Sequence, residues 1–173
     1  MAALLWIIED VLPADQQCMV FAATRHHVDF LVEILRKVSC LLDQAHSNPL
    51  ARYLTHIHAP LTLHPQSNHK SVPVYGVMDQ VARSMNLAAF RARRCRILVV
   101  TDVAARGIDV PLLDNVINYE FPPQPKLFVH RVGRVARQNR PGMAFNIVTH
   151  SDVPYMLDTL LFLGRPAHNE YIE

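Results

Sequence analysis

The chain has 173 residues, half of them hydrophobic, which is enough for one domain with a buried core and excludes a disordered tail. The formal net charge of +2 excludes a uniformly basic surface, so nucleic acid would have to bind a local cluster of arginines. Arginine clusters twice, at Arg91, Arg93, Arg94 and Arg96, and at Arg131, Arg134, Arg137 and Arg140. The three cysteines are widely spaced, which argues against a disulfide framework or a zinc site and for a reducing, intracellular compartment.

The hydrophobic pattern predicts helices that alternate with buried strands. Residues 1–12 are apolar but include Glu9 and Asp10, which predicts an amphipathic helix stopped by Pro13 and not a signal peptide or a membrane span. Short runs rich in Val and Ile predict strands at 19–22, 72–75, 97–100, 116–118 and 143–148. Helices are predicted from Thr24 as N-cap, at 81–90, at 126–137, and from Asp152 to a stop at Gly164. This alternation predicts an α/β fold with a parallel sheet and helices on both faces.

The stretch from about residue 40 to residue 71 breaks the pattern. It contains Pro49, Pro60 and Pro65 and has no clean hydrophobic period, which predicts a long, flexible surface insertion. The histidines between residues 56 and 69 fit no compact metal-ligand motif and have neither cysteine nor an HExxH helix beside them. We therefore predict no metal site in the chain.

Polar residues follow two of the predicted strands. Thr24 comes after the first strand, and Thr101, Asp102 and the segment up to Asp109 come after the third. Because open parallel sheets bind ligands beyond the carboxyl ends of their strands, this edge is predicted to receive a phosphodiester backbone. The plainer interpretation is a helix cap for Thr24 and Asp102 and a turn residue for Asp109.

Residues 130–137 form a second candidate site, with the sequence His-Arg-Val-Gly-Arg-Val-Ala-Arg. In a helix, His130, Arg134 and Arg137 would lie on one face, where their mutual repulsion calls for an anion such as a polyphosphate. The plainer interpretation is a solvated basic face. Gly133 favours the anion, since glycine inside a helix costs about 1 kcal/mol relative to alanine and must be offset by a close approach.

The order and spacing of these segments resemble the C-terminal half of DEAD-box RNA helicases over nearly the whole chain. Residues 19–31 resemble motif IV of that family, 101–109 its motif V, and 130–137 its motif VI. Tyr75-Gly76, Gln80, Arg83 and Phe90 resemble its Gly-x-x-x-Gln-x-x-Arg segment. The resemblance implies that residues 1–173 form a single RecA-like domain. This domain would act as the second lobe of an ATP-dependent RNA helicase.

The resemblance also implies roles for the matching residues, in three groups. Arg134 and Arg137 match catalytic arginine fingers that bind ATP on the partner lobe, and Asp109 matches a contact with the ATP ribose. Thr24, Arg83 and Thr101 match positions that bind the RNA backbone. Gln80, Arg106, His130 and Arg131 match positions that couple the ATP and RNA sites across the interdomain cleft.

The chain contains neither a Gly-x-x-x-x-Gly-Lys-Ser/Thr phosphate loop nor an Asp-Glu-Ala-Asp segment. We therefore expect ATP and Mg²⁺ to be cofactors of the full-length protein, with none bound by this domain alone, and we expect the isolated domain to be inactive. The expected partners are RNA and the N-terminal RecA-like lobe of the same chain, and no membrane.

Further residues are similar to one branch of the family, the nucleolar DEAD-box helicases of large ribosomal subunit assembly. They are His26-His27, residues 112–119, residues 154–157, residues 161–166 and the pair Val135-Ala136. This last pair replaces the Thr-Gly that most members of the family have there. This similarity implies a role in ribosome biogenesis, pre-ribosomal proteins as candidate partners, and a location in the nucleus and nucleolus.

Three alternatives remain. The first is a helicase of another family that acts on DNA, against which the segment 101–109 and the spacing of Gln80 and Arg83 argue. The second is a non-catalytic module that docks RNA or protein, against which the pair of predicted arginine fingers argues. The third is a stand-alone Rossmann-type enzyme, against which the absence of a glycine-rich fingerprint after the first strand argues.

Overall fold

The computed structural model describes residues 1–47, 70–108, 110, 113–135 and 141–166, with the side chains of residues 41–47 left out. Its strands are β1 (Cys18–Phe21), β2 (Ser71–Val74), β3 (Ile97–Val100), β4 (Asn115–Asn118) and β5 (Met143–Asn146). Its α-helices are α1 (Ala2–Trp6), α2 (Arg25–Ser47), α3 (Gln80–Arg91), α4 (Asp102–Ala105), α5 (Pro125–Val132) and α6 (Val153–Leu163). A π-helical turn over Ile7–Val11 follows α1, and a 3-10 turn over His150–Asp152 precedes α6.

The strands form one sheet in the order β2-β3-β1-β4-β5, and every neighbouring pair is parallel. All residues of β1, β3 and β4 are buried, whereas β2 and β5 at the two edges are partly exposed. Helices therefore cover both faces of the inner strands, as their continuous apolar sequences predict. The predicted α/β fold is confirmed, and the strands lie within two residues of their predicted positions.

Alternating side chains of the sheet build two separate cores. Cys18 and Val20 of β1 pack on one face with residues of α1 and α2. Met19 and Phe21 point to the other face and pack with residues of α3 and α4, including Phe90. This division follows from the two-residue period of a strand.

The first helix boundary behaves as the sequence predicts. The Thr24 hydroxyl accepts a hydrogen bond from the His27 amide at 3.2 Å, so Thr24 caps the start of α2. The predicted insertion at 40–71 begins too early, however, because α2 continues to Ser47. No glycine or proline stands between residue 40 and Ser47, so nothing in that stretch interrupts the helix. Residues 48–69 lie outside the described residues.

The helix predicted at 126–137 is shorter than expected, and this prediction was wrong. Helix α5 ends at Val132, and Gly133 is its C-cap with φ −63° and ψ 7°. The amides of Arg134 and Val135 then bond three residues back, to Arg131 and Val132, and Val135 forms a β-bridge with Leu113. Glycine is a poor helix former and Val135 pairs as a strand residue, so the chain leaves the helix here.

The first arginine cluster lies away from the predicted site. It immediately precedes β3, so the polarity of the strand places it at the amino-terminal edge of the sheet. Arg96 is only 5 % exposed, and its guanidinium donates hydrogen bonds to the carbonyls of Ile8, Leu12, Pro13 and Gln16 at 3.0 to 3.1 Å. These hydrogen bonds attach the N-terminal segment to the sheet. Because its guanidinium is buried, Arg96 does not contribute to a basic surface.

Candidate functional site at the carboxyl edge of the sheet

The carboxyl ends of β1 and β3 lie side by side, at the edge of the sheet where the sequence predicts the residues after them. Phe21 is in register with Val100, and the Ala22 amide bonds to the Val100 carbonyl at 2.9 Å. Thr24 and Thr101, which follow these strands, therefore leave the sheet at the same edge. Parallel pairing alone is enough to bring them together.

Arg131 of α5 is the centre of the hydrogen-bond network at this edge. Its Nε and Nη2 donate to the two carboxylate oxygens of Asp102, both at 2.7 Å. Its Nη1 donates to the side-chain oxygen of Asn118 at 3.0 Å and to the carbonyl of Glu120 at 2.8 Å. The guanidinium carbon lies 5.1 Å from the centre of the Phe21 ring. The side chain is only 2 % exposed, so these contacts replace the water that the cation loses.

Asp102 has a different role from the helix cap that its position suggested. Thr101 occupies the N-cap position of α4, and its side chain makes no capping hydrogen bond. Asp102 is the first residue of α4, and Arg131 binds its carboxylate from the neighbouring helix α5. This two-pronged pairing suits the planar arginine fork and would be lost with lysine. The pair joins the segments 101–109 and 130–137 directly.

Glu120 connects the network to the turn after β1. One carboxylate oxygen accepts a hydrogen bond from the Ala23 amide, and the other lies 2.8 Å from Nδ1 of His27. The carbonyl of the same residue accepts from Arg131. Glu120 therefore contacts both α5 and the turn that carries Thr24.

His130, in the last turn of α5, and Arg134, two residues beyond the end of that helix, form a close pair. Nη2 of Arg134 lies 2.7 Å from Nε2 of His130. Because arginine has no acceptor, Nε2 of His130 must be the acceptor and carry no proton. Burial of the ring lowers the pKa of His130, the charges of Arg134 and Arg106 lower it further, and Asp102 opposes them. The neutral imidazole is the form that holds Arg134.

Comparison with known proteins identifies the fold and its family. Residues 3–139 match the family described as helicase conserved C-terminal domain. The chain is 45 % identical to the mouse ATP-dependent RNA helicase DDX54 over 166 residues, which is 95 % of this chain. It is 43 % identical to the putative DEAD-box ATP-dependent RNA helicase 29 of Arabidopsis thaliana, also over 166 residues and 96 % of this chain. The chain belongs to the DEAD-box RNA helicases, as their C-terminal helicase lobe.

Solved structures agree with this assignment of the DEAD-box lobe. The E. coli DEAD-box protein SrmB, bound to regulator of ribonuclease activity A, is 25 % identical with a TM-score of 0.74, covering 99 % of this chain and 82 % of that one. The C-terminal domain of the DEAD-box protein Dbp5 superposes with a TM-score of 0.67 at 21 % identity, over 95 % of this chain and 80 % of that one, which supports the RecA-like fold alone. The lobe spans only 16 % of the Arabidopsis relative and 15 % of the mouse relative.

The DEAD-box lobe brings most of its predicted site residues to one edge. Arg83 donates from Nη2 to the Ala104 carbonyl at 3.0 Å, which fixes its guanidinium beside α4. Thr101 is only 8 % exposed, so little of it is open to a phosphate in this arrangement. Gln80, the first residue of α3, and Arg106, just after α4, are both exposed. Asp109 and Arg137 lie outside the described residues, and the roles of all these residues stay predictions.

Sequence reasoning missed Asn118 and Glu120. Asn118 is fully buried, accepts a hydrogen bond from Arg131 and donates to Asn146 of β5 at 2.7 Å. An asparagine at the end of a predicted buried strand, directly after Val116 and Ile117, is a signal that could have found it, because buried polar groups need partners. Glu120 carries no such signal, since an acidic residue after a strand is also an ordinary surface residue.

Among the described residues, no three His, Cys, Asp or Glu side chains are grouped so that they could hold a metal ion. No described helix is long and apolar enough to span a bilayer.

Proposed function

We propose that this lobe serves an ATP-dependent RNA helicase by binding the RNA backbone and by supplying arginine fingers to ATP held on the N-terminal lobe. In this proposal Thr24, Arg83 and Thr101 bind RNA phosphates, and Arg134 and Arg137 contact the ATP phosphates. Asp109 contacts the ribose. Mg²⁺ belongs to the N-terminal lobe.

The observation that carries the proposal is the incomplete pairing of Arg134. Within the described part of the chain, no carboxylate lies within salt-bridge distance of its guanidinium, and its Nε is buried without a hydrogen-bond partner. Its one hydrogen-bond partner there is the neutral ring of His130. A cationic side chain without a carboxylate partner is costly to bury, and a phosphate that approaches the half-buried Arg134 side chain would supply the missing negative charge. The residues at this edge therefore fit a polyphosphate group.

The residues proposed to bind RNA also offer hydrogen-bond donors to a phosphate. Arg83 is held at one nitrogen by the Ala104 carbonyl, which leaves the other edge of its planar fork for a phosphate. Thr24 is exposed at the start of α2, where the helix dipole favours an anion. Contacts of this kind read the backbone and not the bases, so binding should be independent of sequence and sensitive to salt.

The two sites work together when the lobes close. RNA and ATP each contact both lobes in the proposed closed state, so each ligand favours closure and raises the affinity for the other. Closure brings Arg134 and Arg137 to the phosphates, where their charge stabilises the transferred phosphoryl group. Opening after hydrolysis releases the RNA.

The test is RNA-stimulated ATPase activity of the full-length protein, with Arg134→Ala and Arg137→Ala compared with wild type. Loss of an arginine finger should lower turnover by about 10³-fold while ATP binding is largely kept. Arg36→Ala, an exposed arginine of α2, is the matched control and should stay within about twofold of wild type. Unchanged turnover in both finger variants would favour a non-catalytic docking module instead.

We also propose that the full-length protein acts in ribosome biogenesis in the nucleolus, with pre-ribosomal proteins among its partners. The support is the similarity of residues 112–119 and 154–157 and 161–166 to the nucleolar branch, together with the 45 % identity to DDX54. Sucrose-gradient sedimentation of cell extract tests this. The protein should migrate with large-subunit precursors and leave them at raised salt, and migration only as free protein would contradict the proposal.

A further inference from the structure

Glu120 is the described side chain that joins the Arg131 network to the RNA side of the lobe. Its carbonyl accepts the Arg131 hydrogen bond at 2.8 Å, so its main chain is tied to α5 and through Arg131 to Asp102. Its carboxylate accepts from the Ala23 amide, 97 residues away in sequence. One residue thus spans the distance between the segment with the proposed fingers and the turn with the proposed phosphate contact.

We infer that Glu120 is a positioning residue that sets the turn 22–24 for RNA and couples it to Arg131. This inference rests on the proposed function, because it concerns how the RNA contact at Thr24 is oriented. Glu120 does not touch RNA itself. A carboxylate there would repel a phosphate, unless its charge is taken up by neighbouring donors.

The geometry around the carboxylate meets that condition. One oxygen is taken by the Ala23 amide, and the other lies 2.8 Å from Nδ1 of His27, whose own amide donates to the Thr24 hydroxyl at 3.2 Å. Glu120 therefore contacts the chain at Ala23 and at His27, and Thr24 lies between these two contact points in sequence. The Glu120 side chain is 30 % exposed, so it lies at the surface where the turn faces solvent.

The backbone and side chain of Glu120 can be tested separately. Glu120→Ala removes the contacts with Ala23 and His27 but keeps the carbonyl that Arg131 uses. Glu120→Gln keeps an oxygen that can accept from the Ala23 amide. Loss of the turn contact should therefore appear in the alanine variant and be largely rescued in the glutamine variant.

The experiment measures the binding of a fluorescent single-stranded RNA to the full-length protein with a non-hydrolysable ATP analogue. Glu120→Ala should weaken RNA binding about tenfold, while the affinity for the analogue in the absence of RNA and the thermal unfolding midpoint stay close to wild type. Glu33→Ala, an exposed glutamate of α2, is the matched control and should bind RNA as wild type does. Glu120 acts on RNA through the turn that carries Thr24. The double variant Thr24→Ala/Glu120→Ala should therefore have the same RNA affinity as whichever single variant binds RNA less tightly.

Three results would overturn the inference while the proposed function stands. The first is a Glu120→Ala variant that binds RNA as tightly as wild type. The second is a double variant whose loss of RNA affinity equals the sum of the losses of Thr24→Ala and Glu120→Ala. The third is a Glu120→Ala variant that loses analogue affinity and thermal stability together with RNA affinity, which marks a general folding defect. A wild-type protein that binds no RNA at all would instead overturn the proposed function, and the inference with it.

Discussion

Arg131 holds the carboxylate of Asp102 by two parallel hydrogen bonds of 2.7 Å, although the two residues belong to different helices and lie 29 positions apart. The arginine is almost completely buried, while the aspartate is partly open to solvent. A buried cation with this many satisfied donors is a positioning element, and its cost of burial is offset only when every contact is made. The finding places Arg131 inside the lobe, where it orders α4 and α5 against each other.

The first prediction is that Arg131→Lys destabilises the lobe. Lysine keeps the charge but cannot reach Asp102, Asn118 and the Glu120 carbonyl at once, so buried acceptors lose their partners. We expect the free energy of unfolding to fall by about 2–3 kcal/mol, measured by urea denaturation followed by circular dichroism. Arg36→Lys on the exposed face of α2 is the control, and a loss of equal size there would contradict the account.

The sheet and its caps could be predicted from the sequence because their causes are local. Four-residue runs such as Ile97–Val100 are buried on both faces, and such runs are typical of inner parallel strands. Thr24 caps α2 through a bond to a residue three positions on, and Gly164 ends α6 with a left-handed backbone. These features depend on neighbours in the sequence.

The network at the carboxyl edge could not be predicted in the same way. Contacts such as Glu120 with Ala23 join residues that follow neighbouring strands, and the sequence does not state that β4 lies beside β1. The family resemblance grouped the motifs, but it assigned Asp102 and Glu120 no partner. The helix predicted through residue 137 failed for a related reason, because the bridge between Val135 and Leu113 is a long-range contact that competes with the helix.

The second prediction concerns the pH dependence of stability through His130. Burial and the charges of Arg134 and Arg106 lower the pKa of His130 below its ordinary value of 6.5, with Asp102 opposing. Between the lowered pKa and 6.5 the unfolded chain binds a proton that the folded chain does not, so stability rises with pH through this window and is lost as pH falls. Protonation would also remove the acceptor for Arg134.

The measurement is the urea midpoint from about pH 7.5 down to about pH 5.5 in wild type and in His130→Gln. Glutamine offers Arg134 an acceptor that does not titrate, so part of the fall in midpoint should disappear in this variant. His26→Gln, an exposed histidine of α2, serves as the control and should keep the wild-type profile. An unaltered profile in His130→Gln would show that this imidazole does not contribute.

The third prediction concerns Gly164, the C-cap of α6. Its φ of +64° lies in the left-handed region, and a β-carbon built there would meet nothing within 4 Å, so only backbone strain opposes a side chain. Gly164→Ala should therefore cost about 1 kcal/mol of stability, and Gly164→Asn less, because asparagine tolerates this conformation better than alanine. Thermal unfolding of the three proteins gives the order. Equal stability of the alanine variant and wild type would mean that the chain turns differently here.

The last prediction concerns two arginines of one sequence cluster, Arg96 and Arg94. Arg96 is buried and donates to carbonyls at the end of the N-terminal segment, including those of Leu12 and Pro13, whereas Arg94 is exposed. Arg96→Met fills a similar volume but leaves these acceptors without their donor, which should cost about 2–4 kcal/mol. Because the lost bonds attach residues 1–16 to the sheet, amide hydrogen exchange should accelerate first in α1 and the π-helical turn, ahead of β1 and β3. Arg94→Met should change neither stability nor exchange there, and equal effects of the two substitutions would show that the cluster acts through its net charge and not through the buried contacts of Arg96.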